Sequence, residues 1–153
     1  MPKLTPSKIN NYLLYKLPAA YFTGVRVKSI SENEATTSVK LKWINQNPFK
    51  SIFWAVQGMA AEFSTGVLMM NAIANSGKKI SMLVVYQTAT FTKKATGRIN
   101  FKCMDGEQIK QTIANAIATG EGQTIVVKSE GFNEQNESVS TFEFTWSVKV
   151  KTK

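Results

Sequence analysis

Apolar and polar positions follow two different periods along this chain, and the changes between them mark its elements. From Thr141 to Val150, Phe142, Phe144, Trp146, Val148 and Val150 alternate with Glu143, Thr145, Ser147 and Lys149, the two-residue period of a strand with one wet face. Gln123–Phe132 reads as a strand before it, and Asn133–Glu137 as the turn between them. Arg98–Met104 alternates as well, with Ile99, Phe101 and Cys103 on one side. Ile80–Phe91 is rich in strand formers and almost continuously apolar at its start, which predicts a central strand. Near the N-terminus, Tyr21–Ile30 and Ala35–Ile44 read as two strands joined by a turn at Ser31–Glu34. Val25 and Val27 face one side of the first, and Val39, Leu41 and Trp43 point inward from the second.

Three segments carry the helical period. Ser7–Lys16 has a stripe of Ile9, Leu13 and Leu17, with Ser7 as its cap and Pro18 as its stop. Glu107–Thr119 places Ile109, Ile113, Ala116 and Ile117 on one face, and Gly120 and Gly122 close it. The third runs from Ser51 to Asn75, after a loop at Asn45–Lys50 that Pro48 keeps out of helical geometry, and stops at Ser76-Gly77. It is apolar nearly all round, as a buried helix is. At about 100° per residue, Phe53, Val56, Ala60, Phe63, Val67 and Met70 share one broad face. Glu62 lies opposite, beside Ser51, Ala55, Gly58, Thr65 and Gly66. A carboxylate there is costly unless it is paired or functional. Its small neighbours leave room for a substrate or for a second copy of the helix.

Length and composition narrow the picture. At 153 residues the chain is expected to form one domain over 1–153 with its own core. One cysteine, Cys103, precludes an internal disulfide, and its alternation with Ile99 and Phe101 makes it a small core residue. With no secretory pattern in Met1–Lys16, and with Gln57, Glu62, Ser64, Thr65 and Asn71 interrupting the long helix, the expected setting is cytoplasmic, without a membrane span. No histidine is present, which removes Ser-His-Asp and Cys-His chemistry and histidine-metal sites. The net charge of +9 suits an anionic partner, but Arg26 and Lys28, Lys40 and Lys42, and Lys149 and Lys151 each alternate with apolar residues, as on the wet face of a sheet. Nucleic-acid binding lacks a motif, since the aromatic residues of the last strand share one face and its lysine takes the other.

The resulting order is helix, two strands, long buried helix, two strands, shorter helix, two strands. It predicts an α+β fold: an antiparallel sheet of about six strands wrapped around one long central helix. On this order, and on the segment Asn47–Gly66 (NPFKSIFWAVQGMAAEFSTG), the chain resembles the hotdog-fold thioesterases, and within them an uncharacterised thioesterase-like branch. Asn47, Ser51, Ala55, Glu62 and Gly66 match that branch's loop-and-helix pattern, with serine in place of threonine. Lys50 stands where the family usually has glycine, and Phe53 where a histidine or other polar residue is common.

The resemblance implies hydrolysis of an acyl-CoA or acyl-carrier thioester. Glu62 would serve as base or nucleophile, with Asn47 orienting water or thioester from the loop. Backbone amides at Ser51, Ile52 and Phe53 would receive the oxyanion, and Gln57 and Thr65 would orient Glu62. Lys93, Lys94 and Arg98, in the basic turn TKKATGR, would hold the phosphates of coenzyme A, which enters as part of the substrate; no other cofactor and no metal is expected. The resemblance also implies a homodimer or dimer of dimers with sites between subunits. The residues leave an alternative open: a non-catalytic hotdog protein that binds an acyl ligand or a partner, with Glu62 as a structural carboxylate and Asn47 as a turn residue.

Overall fold

A computed structural model of the chain describes residues 3–152; Met1, Pro2 and Lys153, the ends of the expected 1–153 domain, lie outside the described residues. The architecture is the expected α+β hotdog arrangement. Ten elements follow one another: α1 (Pro6–Lys16), α2 (Pro18–Phe22), β1 (Arg26–Ile30), β2 (Ala35–Lys40), α3 (Trp54–Ser76), β3 (Ile80–Phe91), β4 (Arg98–Cys103), α4 (Gly106–Thr119), β5 (Gln123–Phe132) and β6 (Ser138–Val150). A 3-10 turn, Trp43–Asn45, lies between β2 and α3. The six strands form one sheet in the order β1-β2-β4-β5-β6-β3, every neighbouring pair antiparallel.

The long helix α3 fills the curve of the sheet. Val56, Ala60, Ala61, Phe63, Val67, Leu68 and Met69 are buried against Val39, Ile99, Phe101, Cys103, Val127 and the inward aromatic side of β6. The small-residue side of the helix is taken up by those aromatics. A Cβ on Gly58 would sit 3.6 Å from the Phe142 ring, and one on Gly66 would sit 3.5 Å from Trp146. Four buried polar contacts tie the helix to the sheet: Thr37 Oγ1 donates to the Ala60 carbonyl (2.6 Å), Ser64 pairs with Ser129 (2.7 Å), Ser140 donates to Gln57 (2.9 Å) and Trp146 Nε1 donates to Thr65 (3.0 Å). Each contributes about 1 kcal/mol net, and each leaves a buried orphan if one partner is removed.

Several sequence expectations are corrected. Helix α1 is capped by Thr5, whose hydroxyl accepts from the Lys8 amide (3.4 Å), and not by Ser7; Pro6, lacking an amide and preset in φ, starts the helix earlier. Pro18 both follows α1 and opens α2, so the first strand begins at Arg26 instead of Tyr21, after Gly24 turns the chain at φ 96°. Strand β2 ends at Lys40. Asn45 bends the chain beyond it: its Nδ2 donates to the carbonyls of Thr23 and Lys40 (both 2.9 Å), and its Oδ1 accepts from the Lys42 amide (2.8 Å). That side-chain bonding overrides the alternation and leaves Trp43 turned outward, 85% exposed.

Helix α3 starts at Trp54, three residues later than the pattern placed it. Strand β3 is not central: it is an edge strand, paired only with β6. Apolar residues on both faces do not distinguish a central strand from an edge strand, and here Leu83, Val85 and Tyr86 are exposed. Cys103 is in the core as expected, and burial pushes its thiol up to about 12, so it is inert at neutral pH.

Candidate active site

The loop entering α3 is organised by one side chain. Asn47 Oδ1 accepts from the amides of Phe49 (2.9 Å) and Ser51 (3.2 Å), and its Nδ2 donates to Ser51 Oγ (2.9 Å). The Asn47 amide donates to the Ser51 carbonyl (2.8 Å), so residues 47–51 form a closed loop. Lys50 sits in it with φ 60°, the left-handed region that glycine adopts most easily. This gives a backbone reason for the glycine usual at that position in the resembled family.

The helix-start amides divide into two groups. Ser51 N–H donates to Asn47, Ile52 N–H to the Ala95 carbonyl (2.8 Å) and Phe53 N–H to the Asn45 carbonyl (2.9 Å). All three amides expected to hold an oxyanion are therefore engaged within the protein. Among the described residues, the amides of Trp54 and Ala55 have no protein acceptor, and Phe53, at the cap position, makes no side-chain hydrogen bond. The unsatisfied donors of the helix lie there, at the positive end of its dipole.

Glu62, two turns further on, is half-buried. It lines a groove of about 280 Å³ together with Trp54, Ala55, Gly58 and Met59 of α3, Val84 and Gln87 of β3, and Phe142 and Phe144 of β6. No hydrogen bond or ion pair reaches its carboxylate from the described residues. Burial alone holds its pKa above the ordinary carboxylate value. The groove therefore brings an apolar channel, an unpartnered carboxylate and the residues that carry the free amides to one place.

The two residues expected to orient Glu62 do other work. Gln57 is buried, with Nε2 donating to the Ile52 carbonyl (3.2 Å) and Oε1 accepting from Ser140. Thr65 donates to the backbone carbonyl of Glu62 (2.8 Å), not to its carboxylate. Both fix the helix against β6.

The basic turn is only partly assembled around the site. Lys93 and Lys94 line a second cavity of about 410 Å³ with Asn47, Ser51, Trp54 and Gln57. Lys93 is ion-paired to Glu137 (2.8 Å), so its charge is partly spent. Arg98 is not among the residues of that cavity. It reaches across to β2, donating to Ser38 Oγ (2.9 Å), while its amide donates to Glu134 (2.7 Å). Trp54 lines both cavities and joins the lysine turn to Glu62.

Trp54, the free amides of Trp54 and Ala55, and the β3–β6 wall were missed in the sequence, which placed Ala55 only as a small neighbour of Glu62. The available signal was the spacing of Asn47 and Ser51, whose side chains close a loop and delay the helix. Among the described residues there is no group of three or more Cys, Asp or Glu side chains that could hold a metal ion.

Fold and groove together define a hotdog-fold protein with a helix-borne carboxylate at the edge of its sheet. The chain belongs to the family described as a domain of unknown function, DUF4442, whose model matches residues 11–148. Its fold is similar to that of a Pseudomonas aeruginosa protein of unknown function, named a probable thioesterase, at 19% identity over 97% of this chain and 99% of that one, with a TM-score of 0.82. A Chlorobaculum tepidum protein of unknown function matches at 15% identity over 99% and 100%, with a TM-score of 0.83. A Haemophilus influenzae thioesterase matches at 13% identity over 97% and 92%, with a TM-score of 0.74. At these identities the likeness is one of fold. No curated protein matches the chain.

Proposed function

We propose that the protein is a thioester hydrolase acting on acyl-CoA or acyl-carrier substrates. The observation that carries this reading is the single groove holding an unpartnered Glu62, raised in pKa, and the uncapped start of α3. In this reading the acyl chain lies along Met59, Val84, Phe142 and Phe144, and the thioester carbonyl points its oxygen at the amides of Trp54 and Ala55. As charge develops on that oxygen, fixed N–H donors at a helix start stabilise it without reorganising. Deprotonated Glu62 takes a proton from water as the water adds to the carbonyl carbon. The tetrahedral intermediate then expels the thiolate, which takes the proton held by Glu62 and leaves as the free thiol, restoring the carboxylate. Asn47 acts as the residue that shapes the loop, and Lys93 and Lys94 attract the phosphates of a coenzyme A arm.

A homodimer completes the proposal. On the edge strand β3, Leu83 (64%), Val85 (52%) and Tyr86 (64%) are exposed, an apolar edge of the kind that proteins usually cover. Pairing β3 with its copy would cover it and wall the open side of the groove, and a dimer of dimers is compatible with that pairing. The cytoplasm is the proposed setting, in keeping with one buried thiol.

The engagement of the Ser51, Ile52 and Phe53 amides favours the second reading, a hotdog protein that binds an acyl group without cleaving it. Thiol release from short, long and aryl acyl-CoA substrates separates the two. Hydrolysis that falls about a hundredfold or more in Glu62→Gln, as expected for loss of a general base, supports the enzyme. Binding without turnover across the whole panel would replace it with the acyl-binding protein.

A further inference from the structure

Away from the carboxylate, the chain carries a second concentration of unusual surface. The 3-10 turn Trp43–Asn45 and the loop after it expose Trp43 (85%), Ile44 (54%) and Phe49 (71%). Phe22, at the end of α2, is 62% exposed. Asn45 brings these segments together, because its side chain donates to the Thr23 carbonyl beside Phe22 while its own carbonyl accepts from Phe53. Four large apolar side chains thus project from adjoining loop tips, where none contributes to the core.

The charge around them is predominantly positive. Lys40, Lys42 and Lys50 flank the apolar tips, all three exposed, and residues 35–61 contain no Asp or Glu. In the first 61 residues the carboxylates are Glu32 and Glu34, in the turn at the far end of β2 from Lys40. Of the neighbouring acids of the β5–β6 turn, Glu137 is ion-paired with Lys93, while Glu134 accepts from the Arg98 amide and keeps its charge. Tryptophan, phenylalanine and isoleucine on projecting tips, ringed by lysine, match a membrane–water interface, where aromatic rings settle at headgroup depth and lysines meet anionic lipid.

We propose that the Phe22–Trp43–Phe49 face docks the protein on an anionic bilayer, with Trp43, Ile44 and Phe49 entering the headgroup region. A second copy of the chain is disfavoured on this face, because a two-fold contact would bring the lysines of both copies together. The docked face adjoins the groove: Phe49 lines an apolar cavity with Phe53 and Trp54, and Trp54 also lines the Glu62 groove. Docking does not depend on whether the protein cleaves thioesters.

Co-sedimentation with vesicles of phosphatidylcholine alone, and with phosphatidylglycerol mixed in, tests it on the full chain. Wild type is expected to sediment with the anionic vesicles only, and to be released as salt is raised. Partition is expected to fall about tenfold in Trp43→Ser combined with Phe49→Ser, and about fivefold in Lys42→Gln. All three positions are exposed, and circular dichroism checks that the variants fold. Tryptophan emission of wild type should shift to the blue on anionic vesicles, and Trp43→Phe should lose that shift. Absence of partition, partition unchanged by the aromatic substitutions, or a dimer that dissociates on Trp43→Ser would each overturn the proposal.

Discussion

Two residues hold most of the chemical interest, and each is set by its surroundings. Glu62 has no partner in the described structure, and its pKa is raised by desolvation alone. A carboxyl group whose folded pKa lies above its unfolded value favours the folded state below the unfolded pKa, and that advantage is lost as pH rises through the folded pKa. Glu62→Gln is therefore expected to raise the melting temperature at neutral pH, with the gap to wild type closing below about pH 4.5, the ordinary glutamate value. Melting curves across that range check it. Lys50 holds a left-handed backbone that glycine adopts without a Cβ clash. Lys50→Gly is expected to stabilise by about 1 kcal/mol in denaturant unfolding, and Lys50→Ala should give no such gain. Glu62 was legible in the sequence because a charge on an apolar helix is conspicuous. The roles of Gln57, Thr65 and Arg98 were not, because identity and spacing do not tell which buried oxygen a side chain reaches.

At the scale of elements, the uncapped start of α3 links stability to the proposed function. Phe53→Asp would place an acceptor at the cap position, within reach of the Ala55 amide. The expected result is a gain of about 1 kcal/mol in stability together with a loss of thiol-releasing activity, because the carboxylate takes the donor assigned to the oxyanion. Activity retained at full level would remove those amides from the mechanism. A second close fit joins α4 to the β1–β2 turn: a Cβ on Gly106 would fall 2.4 Å from Asn33 Cα and from the Glu32 carbonyl. Gly106→Ala should destabilise by about 2 kcal/mol or more, read from the unfolding midpoint. Periodicity located β4, α4, β5 and β6 within a few residues, because each has one clean apolar face. It found the paired strands β1 and β2 and their turn but failed at Tyr21–Val25 and Leu41–Phe53, where Pro18, Gly24, Asn45 and Asn47 turn the chain through local hydrogen bonds that alternation does not register.

For the whole molecule, the pairing that matters most is at the edge of the sheet. The strand read as central, Ile80–Phe91, is paired on one side only, yet it keeps apolar residues on both faces. That combination is what a strand paired with its own copy would require. Leu83→Lys with Val85→Lys is expected to convert the proposed dimer into a folded monomer, measured by light scattering; both side chains are exposed in the single chain, so its core is untouched. The central claim is that Glu62 acts as the base of a thioesterase, and the pH dependence of kcat/KM on the best acyl-CoA substrate tests it most directly. A base at Glu62 predicts an acid limb that rises with pH to a midpoint above the ordinary glutamate value of 4.5, and the loss of that limb, with most of the activity, in Glu62→Gln. An identical profile in wild type and Glu62→Gln, or no hydrolysis at any pH, would contradict it.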